Sequence, residues 1–529
     1  MITPLTPMDF KRRALKLYPN KVAVIDGELR FTYREFSERT NRLSHGLQSL
    51  GVTTNTKVAV LAPNTHEMLE CFYGVCQIGA VLVPLNIRLK PDEIRHIVNH
   101  SDAEILIVDS EWGSVVEDIV ATLPKVRHVI QVNSGYGSPL QAIDYEQLLA
   151  ASSPADIRTA IDENQPIAIN YTSGTTSRPK GVILTHRNTY MNAADFLLHL
   201  RVSHEDVYLH TLPMFHVNGW GGVWAVTAVG GTHVCLRKIS PAYVLQLFER
   251  EKITLACGAP TVLNMLVQAP NLTDVKLETK PRIATAGSPP AAAIIEKVQK
   301  YLNMEVIHVY GMTEASPFIS YCEWRKAHEQ LPADQQAEIK ARQGVEMVFS
   351  GETTVLREDG TEVEWNGREI GEIVARGNVV MEGYYKDPEE TAKVMRDGWF
   401  HTGDLAVIHP DGYIEIVDRL KDVIISGGEN VSSVEVEGVL LKHSAIIDAA
   451  VTAKPDDKWG EVPVAFVVVK PGMEVTADEL DQFCRTHLAG FKVPKSYEFV
   501  NELPRTSTGK LQKFQLREKV WQGRERRVQ

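Results

Sequence analysis

The sequence predicts an α/β protein with a large N-terminal domain of parallel-rich sheets covered by helices and a small α+β domain at the C-terminus. Two observations support this fold class. Up to about Gly412, short apolar runs alternate with longer segments of helical periodicity, as expected for parallel strands joined by helices. Beyond Gly412, paired strand signals and single helices take over. The polar stretch 418–421 is the candidate joint, which gives domains 1–417 and 418–529.

The elements of the large domain follow one another in a regular order. KVAVID (21–26) precedes the helix-like segment 32–51, whose apolar side chains recur at helical spacing and which ends at a glycine. Later strand-like runs end in turns of small and polar residues, in ITLACGAP (253–260), RIATAGSPP (282–290) and EVIHVYGMTE (305–314). Because the carboxyl ends of parallel strands share one edge of a sheet, we expect a ligand site along that edge.

The small domain begins with strand signals. YIEIVDRLKDVIIS (413–426) predicts two strands around a charged centre, and a helix begins within GGENVSSVEVEGVLLKH (427–443). EVPVAFVVVK (461–470) predicts a strand before the helix ADELDQFCRTHLA (477–489). This mixture is typical of a small α+β domain.

Composition and charge exclude several classes of function. A hydrophobic content of 44% is ample for packed cores, and a net charge of −11 argues against nucleic acid or an anionic membrane as partner. The N-terminal MITPLTPMDFKRR lacks the apolar core of a signal peptide, and no run approaches the roughly 20 apolar residues of a transmembrane segment. We therefore expect a cytoplasmic globular protein. The six cysteines lack metal-binding spacing and are interpreted as structural.

One loop has the composition of a phosphate-binding site. YTSGTTSRPKGV (171–182) follows an apolar strand and combines glycine, which lets backbone amides approach an anion, with hydroxyl donors and a lysine. The common nucleotide loop has glycine directly before the lysine, whereas this loop has Pro179. Taken alone, such a run is also compatible with a solvated turn. The candidate phosphate ligands are Thr172, Ser173, Gly174, Thr175, Thr176 and Lys180.

Seven motifs in order resemble the signature of the adenylate-forming family, which includes acyl-CoA and aryl-CoA synthetases, luciferases and peptide-synthetase adenylation domains. The resemblance implies that a carboxylic acid reacts with ATP to give an acyl-adenylate and pyrophosphate, and that a thiol then displaces AMP. The motifs are YTSGTTSRPKGV (171–182), LPMFHVNGW (212–220), AGSPP (286–290), YGMTEAS (310–316), WFHTGDL (399–405), DGYIEIVDRLKDVIISGGENVSSVEVE (411–437) and LPRTSTGKLQK (503–513).

The resemblance implies catalytic roles for three residues. Lys510 is expected to contact the carboxylate of the acid and the α-phosphate, where two anions meet and preorganised positive charge is effective. Thr313 is expected to donate to the α-phosphate, and Glu314 to bind Mg²⁺ with Thr176 as a second candidate ligand. Without the surrounding TSTGK, Lys510 would be interpreted as an ordinary exposed lysine.

The resemblance also implies a nucleoside site. Asp404 is expected to accept hydrogen bonds from both ribose hydroxyls, because a carboxylate offers two oxygens to a diol, and Arg419 is expected to assist. An apolar strand residue such as Ile416 is more often part of a core. The residues expected to flank adenine are Gly287, Ser288, Pro289, Tyr310, Gly311 and Ile416.

Transfer to CoA implies that the small domain is mobile. In the family, Lys510 and the glycine loop Gly427-Gly428-Glu429 lie on different faces of this domain, yet both must reach one site. The resemblance therefore implies rotation about a hinge at Asp418. After rotation, the glycine loop is expected to line the channel for the pantetheine arm of CoA.

The segment 212–224 is expected to form the acid pocket. The resemblance places His216, Val217 and Trp220 at a gate beside the acyl tunnel, and favours a fatty acid of medium to long chain. A structural histidine and a core tryptophan are the alternatives for His216 and Trp220. The segment contains no Arg or Lys to pair with a second carboxylate, which disfavours dicarboxylic acids. Short-chain, thioether and aryl acids remain open.

Together these observations predict a fatty-acid–CoA ligase that uses ATP, Mg²⁺ and CoA. One alternative is an acyl-adenylate synthetase that loads a carrier protein. Another is a catalytically silent sensor of ATP or acyl-CoA, which is disfavoured because Lys510, Glu314 and Asp404 are all present. A homodimer is expected only by analogy with the family.

Overall fold

The computed structural model describes residues 2–137, 140–172, 179–272, 275–287, 292–427, 429–505 and 511–521. The chain divides into two compact units. Unit 1 comprises Met1–Glu352 and Ala375–Phe400, and unit 2 comprises Thr353–Val374 and His401–Gln529. The mixed α/β class with a large and a small part is confirmed. The boundary at 417/418 and the hinge at Asp418 stay predictions.

The helices and strands are numbered in chain order. The helices are α1 (Met8–Leu17), α2 (Tyr33–Ser49), α3 (His66–Cys76), α4 (Pro91–His100), α5 (Gly113–Val120), α6 (Tyr145–Ala151), α7 (His186–His199), α8 (Val217–Trp220), α9 (Gly222–Val229), α10 (Pro241–Arg250), α11 (Pro260–Val267), α12 (Ala292–Leu302), α13 (Ala333–Ala341), α14 (Pro388–Val394), α15 (Ser433–Leu440), α16 (Ala477–His487) and α17 (Lys513–Trp521). Short 3₁₀ turns lie at Ser110–Trp112, Thr313–Ala315 and Lys326–Gln330. The strands are β1 (Val22–Asp26), β2 (Leu29–Thr32), β3 (Lys57–Leu61), β4 (Val81–Pro84), β5 (Ala103–Asp109), β6 (His128–Val132), β7 (Ile143–Asp144), β8 (Pro166–Thr172), β9 (Lys180–Thr185), β10 (Val207–Leu209), β11 (Thr232–Val234), β12 (Leu255–Gly258), β13 (Arg282–Thr285), β14 (Glu305–Gly311), β15 (Phe318–Tyr321), β16 (Val345–Glu346), β17 (Glu352–Leu356), β18 (Gly371–Arg376), β19 (Gly383–Tyr384), β20 (Met395–Arg396), β21 (Trp399–Ile408), β22 (Ile414–Arg419), β23 (Ile424–Ser426), β24 (Glu429–Val431), β25 (Ile446–Asp456), β26 (Gly460–Val469) and β27 (Ser496–Phe499).

Two parallel-rich sheets form the centre of unit 1. One has the order β16-β15-β14-β13-β12-β10-β11-β1-β2, and the strands from β14 to β1 in that order are parallel. The other has the order β19-β9-β8-β4-β3-β5-β6-β7, parallel from β8 to β7. The turns after β8, β13 and β14 therefore lie at carboxyl edges of parallel strands, where ligand sites are expected.

The helix predicted over 32–51 forms as α2. The Thr32 hydroxyl accepts a hydrogen bond from the Glu35 amide at 3.2 Å, and the Glu35 carboxylate accepts one from the Thr32 amide at 2.7 Å. This capping box satisfies two of the backbone donors that a helix start leaves unpaired. The apolar face, with Phe36, Leu43 and Leu47, is buried in the core.

Unit 2 contains the elements expected from its sequence. β22 and β23 flank the charged segment 420–423, α15 follows, and β26 precedes α16. One sheet has the order β24-β23-β26-β25 with β27 beside β26, and α15 and α16 contribute apolar side chains to its core. Another sheet carries β17, β18 and β21 in that order, and β22 pairs with β21.

Two expectations from composition have structural counterparts. All six cysteines are buried free thiols, and burial raises the pKa of the Cys71, Cys76 and Cys257 thiols. This environment suits the structural interpretation. Across the described ranges, no helix is long and apolar enough to cross a membrane.

A buried lysine joins the first three helices of unit 1. Lys11 of α1 is 5% exposed, and its ammonium group donates to Thr40 Oγ1 at 3.0 Å, Asn41 Oδ1 at 2.9 Å and Gln77 Oε1 at 2.6 Å. All three acceptors are uncharged. Burial therefore lowers the pKa of Lys11 from 10.5 to about 7, although the negative charge of Asp156 opposes this shift.

The stability of unit 1 should depend on pH through Lys11. Between about pH 7 and pH 10.5 the unfolded chain binds the proton that the folded chain has released, so folding becomes more favourable as the pH rises. The slope is at most about 1.4 kcal/mol per pH unit, and below pH 7 the unfavourable contribution is constant. We expect the Tm of the wild type to rise relative to that of Lys11→Met from pH 7 to 9.5. The exposed Lys16→Met on the same helix is the control, and a Tm difference independent of pH would contradict the assignment.

Candidate active site

The phosphate-type loop connects two antiparallel strands of unit 1. Thr172, the last residue of β8, lies opposite Lys180, the first residue of β9. The predicted ligands Ser173, Gly174, Thr175 and Thr176 lie outside the described residues. The hairpin places Thr172 and Lys180 side by side at the carboxyl end of β8, which is the expected edge.

Lys180 has two partners from a distant part of unit 1. Its ammonium group forms an ion pair with the Glu390 carboxylate and lies 5.0 Å from the ring centroid of Tyr384. The hydrogen bond from Lys180, with help from Lys393, lowers the pKa of Glu390 to about 2. The lysine is therefore held at the edge of the loop by a carboxylate that an anionic phosphate would have to replace.

Glu314 lies on the turn that follows β14. Gly311 ends that strand so close to the returning chain that a Cβ there would lie 1.8 Å from the carbonyl oxygen of Pro317, and only glycine fits. The phenol of Tyr384 donates to Glu314 Oε1 at 3.0 Å, and the Met381 amide donates to the Glu314 carbonyl at 2.8 Å. Both contacts orient the glutamate. Thr313 is buried on the same turn.

This environment fits a magnesium ligand. Mg²⁺ prefers hard carboxylate oxygens, and among the described residues the side chain of Glu314 contacts a neutral phenol and no cation. Burial raises the pKa of the Tyr384 phenol well above its usual range, so the phenol remains a donor. The roles predicted for Thr313 and Glu314 stay predictions. The other candidate ligand, Thr176, is outside the described residues.

Sequence reasoning missed Tyr384 and Glu390. Both belong to the segment MEGYYKDPEE, whose short strand β19 pairs with β9 so that Tyr384 lies opposite Val182. This pairing brings Tyr384 between Lys180 and Glu314. The signal that was available is the aromatic pair after glycine in GYY, which is unusual in a polar surface segment.

The candidate ribose ligands lie together in unit 2. Asp404 on β21 and Arg419 on β22 are directly opposed, with 3.4 Å between Asp404 Oδ1 and Arg419 Nε. Asp404 is buried, and its amide donates to the Thr402 hydroxyl at 3.1 Å. Ile416 lies on the same strand as Arg419, opposite Ala406. The sequence expectation that Asp404 and Arg419 act together thus has a geometric basis.

The residues expected near adenine are only partly described. Tyr310 and Gly311 are the last residues of β14, and Tyr310 is buried. Gly287 follows β13 with φ of +98°, a conformation that favours glycine. Ser288 and Pro289 lie outside the described residues. Gly287 follows β13, and Tyr310 lies near the end of the neighbouring parallel strand β14, while their role at adenine stays a prediction.

The predicted gate has an unusual backbone. Val217, Asn218, Gly219, Trp220 and Gly221 all have positive φ, from +36° to +88°. This conformation is disfavoured for side chains with a Cβ, especially branched ones, and such strain often accumulates at functional sites. The backbone amide of Gly219 donates to the His216 carbonyl at 3.0 Å, which closes the first turn.

Unit 2 contains Lys510 and the glycine loop 427–429, which are expected to reach the site one after the other. The structure describes only some of these residues. Gly427 has φ of +62°, and a Cβ there would lie 2.7 Å from the Trp459 ring. Glu429 is exposed at the start of β24, whereas Gly428 and Lys510 lie outside the described residues. Asp418 is 2% exposed, and burial raises the pKa of its carboxyl.

Comparison with known proteins shows which family the chain resembles. The model of the AMP-binding enzyme family matches residues 10–385, and that of the AMP-binding enzyme C-terminal domain matches residues 435–510. The 2-methylpropanoate–CoA ligase CCL4 of Humulus lupulus is 42% identical over 98% of this chain and 95% of its own. The peroxisomal trans-cinnamate:CoA ligase of Petunia hybrida is 40% identical over 97% and 94%. The crystal structure of the anthranilate CoA ligase AuaEII with anthranoyl-AMP is 26% identical, with a TM-score of 0.88 over 98% of both chains.

The chain therefore belongs to the family of AMP-binding enzymes. Within that family it groups with the adenylate-forming acid–CoA ligases, which use ATP, Mg²⁺ and CoA.

The contact between Tyr384 and Glu314 predicts a change in Mg²⁺ dependence. Outer-shell partners of metal ligands commonly change metal affinity by about 10- to 100-fold, so in Tyr384→Phe we expect half-maximal activity to need about tenfold more Mg²⁺. Activity at saturating Mg²⁺ should fall less. The neighbouring Tyr385→Phe, whose phenol donates to Asp102 at 3.0 Å, is a matched control. A lower kcat with an unchanged Mg²⁺ midpoint would contradict the assignment of Glu314.

Proposed function

We propose that this protein joins a short aliphatic monocarboxylic acid to CoA through an acyl-adenylate. The acid carboxylate attacks the α-phosphorus of ATP and pyrophosphate leaves; the CoA sulfur then attacks the acyl carbon and AMP leaves. The sequence favoured a medium- to long-chain fatty acid, with a short-chain acid as one alternative. The packing around Trp220 and the name of the relative from Humulus lupulus favour the short-chain alternative.

The observation that carries the proposal is the wall of buried aromatic rings at the predicted gate. Trp220 is 6% exposed and meets Phe318 edge-on, with ring centroids 5.8 Å apart. Phe318 lies 6.5 Å from Phe196, which lies 6.1 Å from Tyr208. An acyl group that arrives beside Trp220 meets a layer packed at the density of a protein interior. A long tail would have to displace these rings, whereas a short tail ends in front of them.

Two glycines show how little space is left behind the gate. A Cβ at Gly222 would lie 2.8 Å from the Tyr208 ring and hydroxyl, and a Cβ at Gly221 would lie 2.3 Å from Asn192 Nδ2. The backbone at both glycines therefore leaves no space for a side chain beside Tyr208 and Asn192. The segment 212–224 contains no charged side chain except the titratable His216, which suits an apolar tail and not a second carboxylate.

The other residues receive roles in this reaction. Lys510 would neutralise the meeting anions, Thr313 would donate to the α-phosphate, and Glu314 would hold Mg²⁺. Lys180 would bind the departing phosphates, Asp404 with Arg419 would hold the ribose, and Gly427 with Glu429 would line the path of CoA. The relatives are named as CoA ligases, which supports free CoA over a carrier protein as acceptor. A cytoplasmic location stays a prediction, and several relatives are named as peroxisomal.

A panel of acids tests the substrate class. Acetate, butyrate, 2-methylpropanoate, hexanoate, octanoate, dodecanoate, oleate, benzoate, trans-cinnamate and a thioether acid are compared by acid-dependent AMP release and by the mass of the acyl-CoA formed. We expect kcat/KM to be highest for butyrate or 2-methylpropanoate and to fall from octanoate onward. A maximum at dodecanoate or oleate would restore the long-chain expectation, and a maximum at an aryl acid would reject an aliphatic substrate. Pyrophosphate release without acyl-CoA would favour a carrier-protein acceptor.

The wall itself is tested by Trp220→Ala. Removal of the indole opens space beside Phe318, so we expect the preferred acid to become longer by several carbons. Each newly buried CH₂ is worth ~0.8 kcal/mol, or about fourfold in kcat/KM. The exposed Trp365→Ala is the control and should leave the chain-length profile unchanged. An unshifted profile in Trp220→Ala would place the acyl group elsewhere.

A further inference from the structure

A largely buried lysine in unit 2 connects three elements. Lys513, the first residue of α17, has a side chain that is 11% exposed and lies 2.7 Å from Glu437 Oε1. Its ammonium group also donates to the Ser433 hydroxyl at 2.6 Å. Ser433 in turn donates through its hydroxyl and amide to the two oxygens of Asp418, at 3.0 and 2.5 Å. The ammonium group of Lys513 thus connects the start of α17 with the start of α15 and, through Ser433, with the end of β22.

The charges explain why these side chains are held in contact. Burial alone would lower the pKa of Lys513, but the attraction of Glu437 and Asp418 outweighs it and raises that pKa above its ordinary value. Glu437 also accepts a hydrogen bond from the Val451 amide at 2.7 Å. Removing one charged member of this group would leave the charge of another member away from water and without a partner. That is unfavourable, and it therefore favours keeping all of these contacts.

The junction lies directly after the segment that contains Lys510. Arg505 and Leu511, at the two ends of 506–510, form an antiparallel bridge, and the Gln512 amide donates to the Pro504 carbonyl at 2.8 Å. Arg505 is tied to Asp448 at 2.7 Å, but this ion pair is about one-third exposed. Lys513 is therefore the buried anchor of this chain segment, and Arg505 is the exposed one.

We propose that Lys513 is a positioning residue for adenylation, because it fixes the chain next to Lys510 without touching a substrate. This inference rests on the role proposed for Lys510. Groups that align reactants must be held to within a fraction of an ångström, and a misplacement of about 1 Å can lower the rate about a hundredfold. Arg517 adds a second attachment of the same helix, since its guanidinium group donates to Asp422 at 2.8 Å.

The two half-reactions separate positioning from stability. Adenylation is measured by acid-dependent exchange of pyrophosphate into ATP, and thioester formation by adding CoA to the synthetic acyl-adenylate of the best acid. In Lys513→Met we expect kcat for adenylation to fall about a hundredfold with little change in the KM for ATP, and thioester formation to fall at least tenfold less. Lys513→Arg, which retains the charge, should recover at least a tenth of the lost rate. Lys519→Met, an exposed ion-pair lysine on the same helix, should match the wild type.

Further variants distinguish a positioning role of Lys513 from a purely structural one. Equal losses in both half-reactions, or no recovery in Lys513→Arg, would overturn the positioning role. If Lys510→Ala retains adenylation, the role proposed for Lys510 is wrong and the inference for Lys513 is overturned with it, whereas a wild type without acid-dependent pyrophosphate exchange would overturn the proposed function. If Lys513→Met does not fold, the double variant Lys513→Met/Glu437→Gln removes the ion pair as a whole. A selective loss of adenylation in that variant supports the inference, and equal losses overturn it.

Discussion

The pairing of β19 with β9 is the contact on which the geometry of the candidate phosphate site depends. It aligns Tyr384 with Val182 and brings its ring over Lys180, while its phenol reaches Glu314 on the turn after β14. Three segments that are far apart in the sequence thereby meet at the carboxyl edges of parallel strands. A short edge strand can do this because backbone pairing fixes its register, and register decides which side chain points to the site.

Unit 2 is organised by a different constraint, the desolvation of charge. A lysine removed from water needs partners with good geometry, and Lys513 finds them in Glu437 and Ser433. Both partners belong to α15, and Ser433 also donates to Asp418 of β22, so satisfying one charge fixes the relative positions of β22, α15 and α17. The same carboxylate that is predicted to mark the hinge, Asp418, is part of this network. Any movement of the backbone there has to accommodate an anchored side chain.

The acid pocket combines strain with close packing. The left-handed backbone from Val217 to Gly221 holds Trp220 against Phe318, and glycines at 221 and 222 permit Tyr208 and Asn192 to approach closely. In the proposed function, the size of the acid is set by how these rings fill space. Such a property depends on side chains from several elements, which is why the motif LPMFHVNGW predicts a pocket but not its depth.

Local signals in the sequence determined the fold class, the presence of α2, and the strands on either side of the charged segment 420–423, whereas the family resemblance implied that Asp404 and Arg419 act together. Periodicity, helix caps and glycine positions act over a few residues and can be read directly. These local signals do not predict the roles of Tyr384, Glu390 and Lys513, because those roles arise from contacts across tens to hundreds of residues. Only the tertiary structure decided which lysine meets which carboxylate and how much room the aromatic wall leaves, since register and packing are properties of the assembled sheets and not of any one segment.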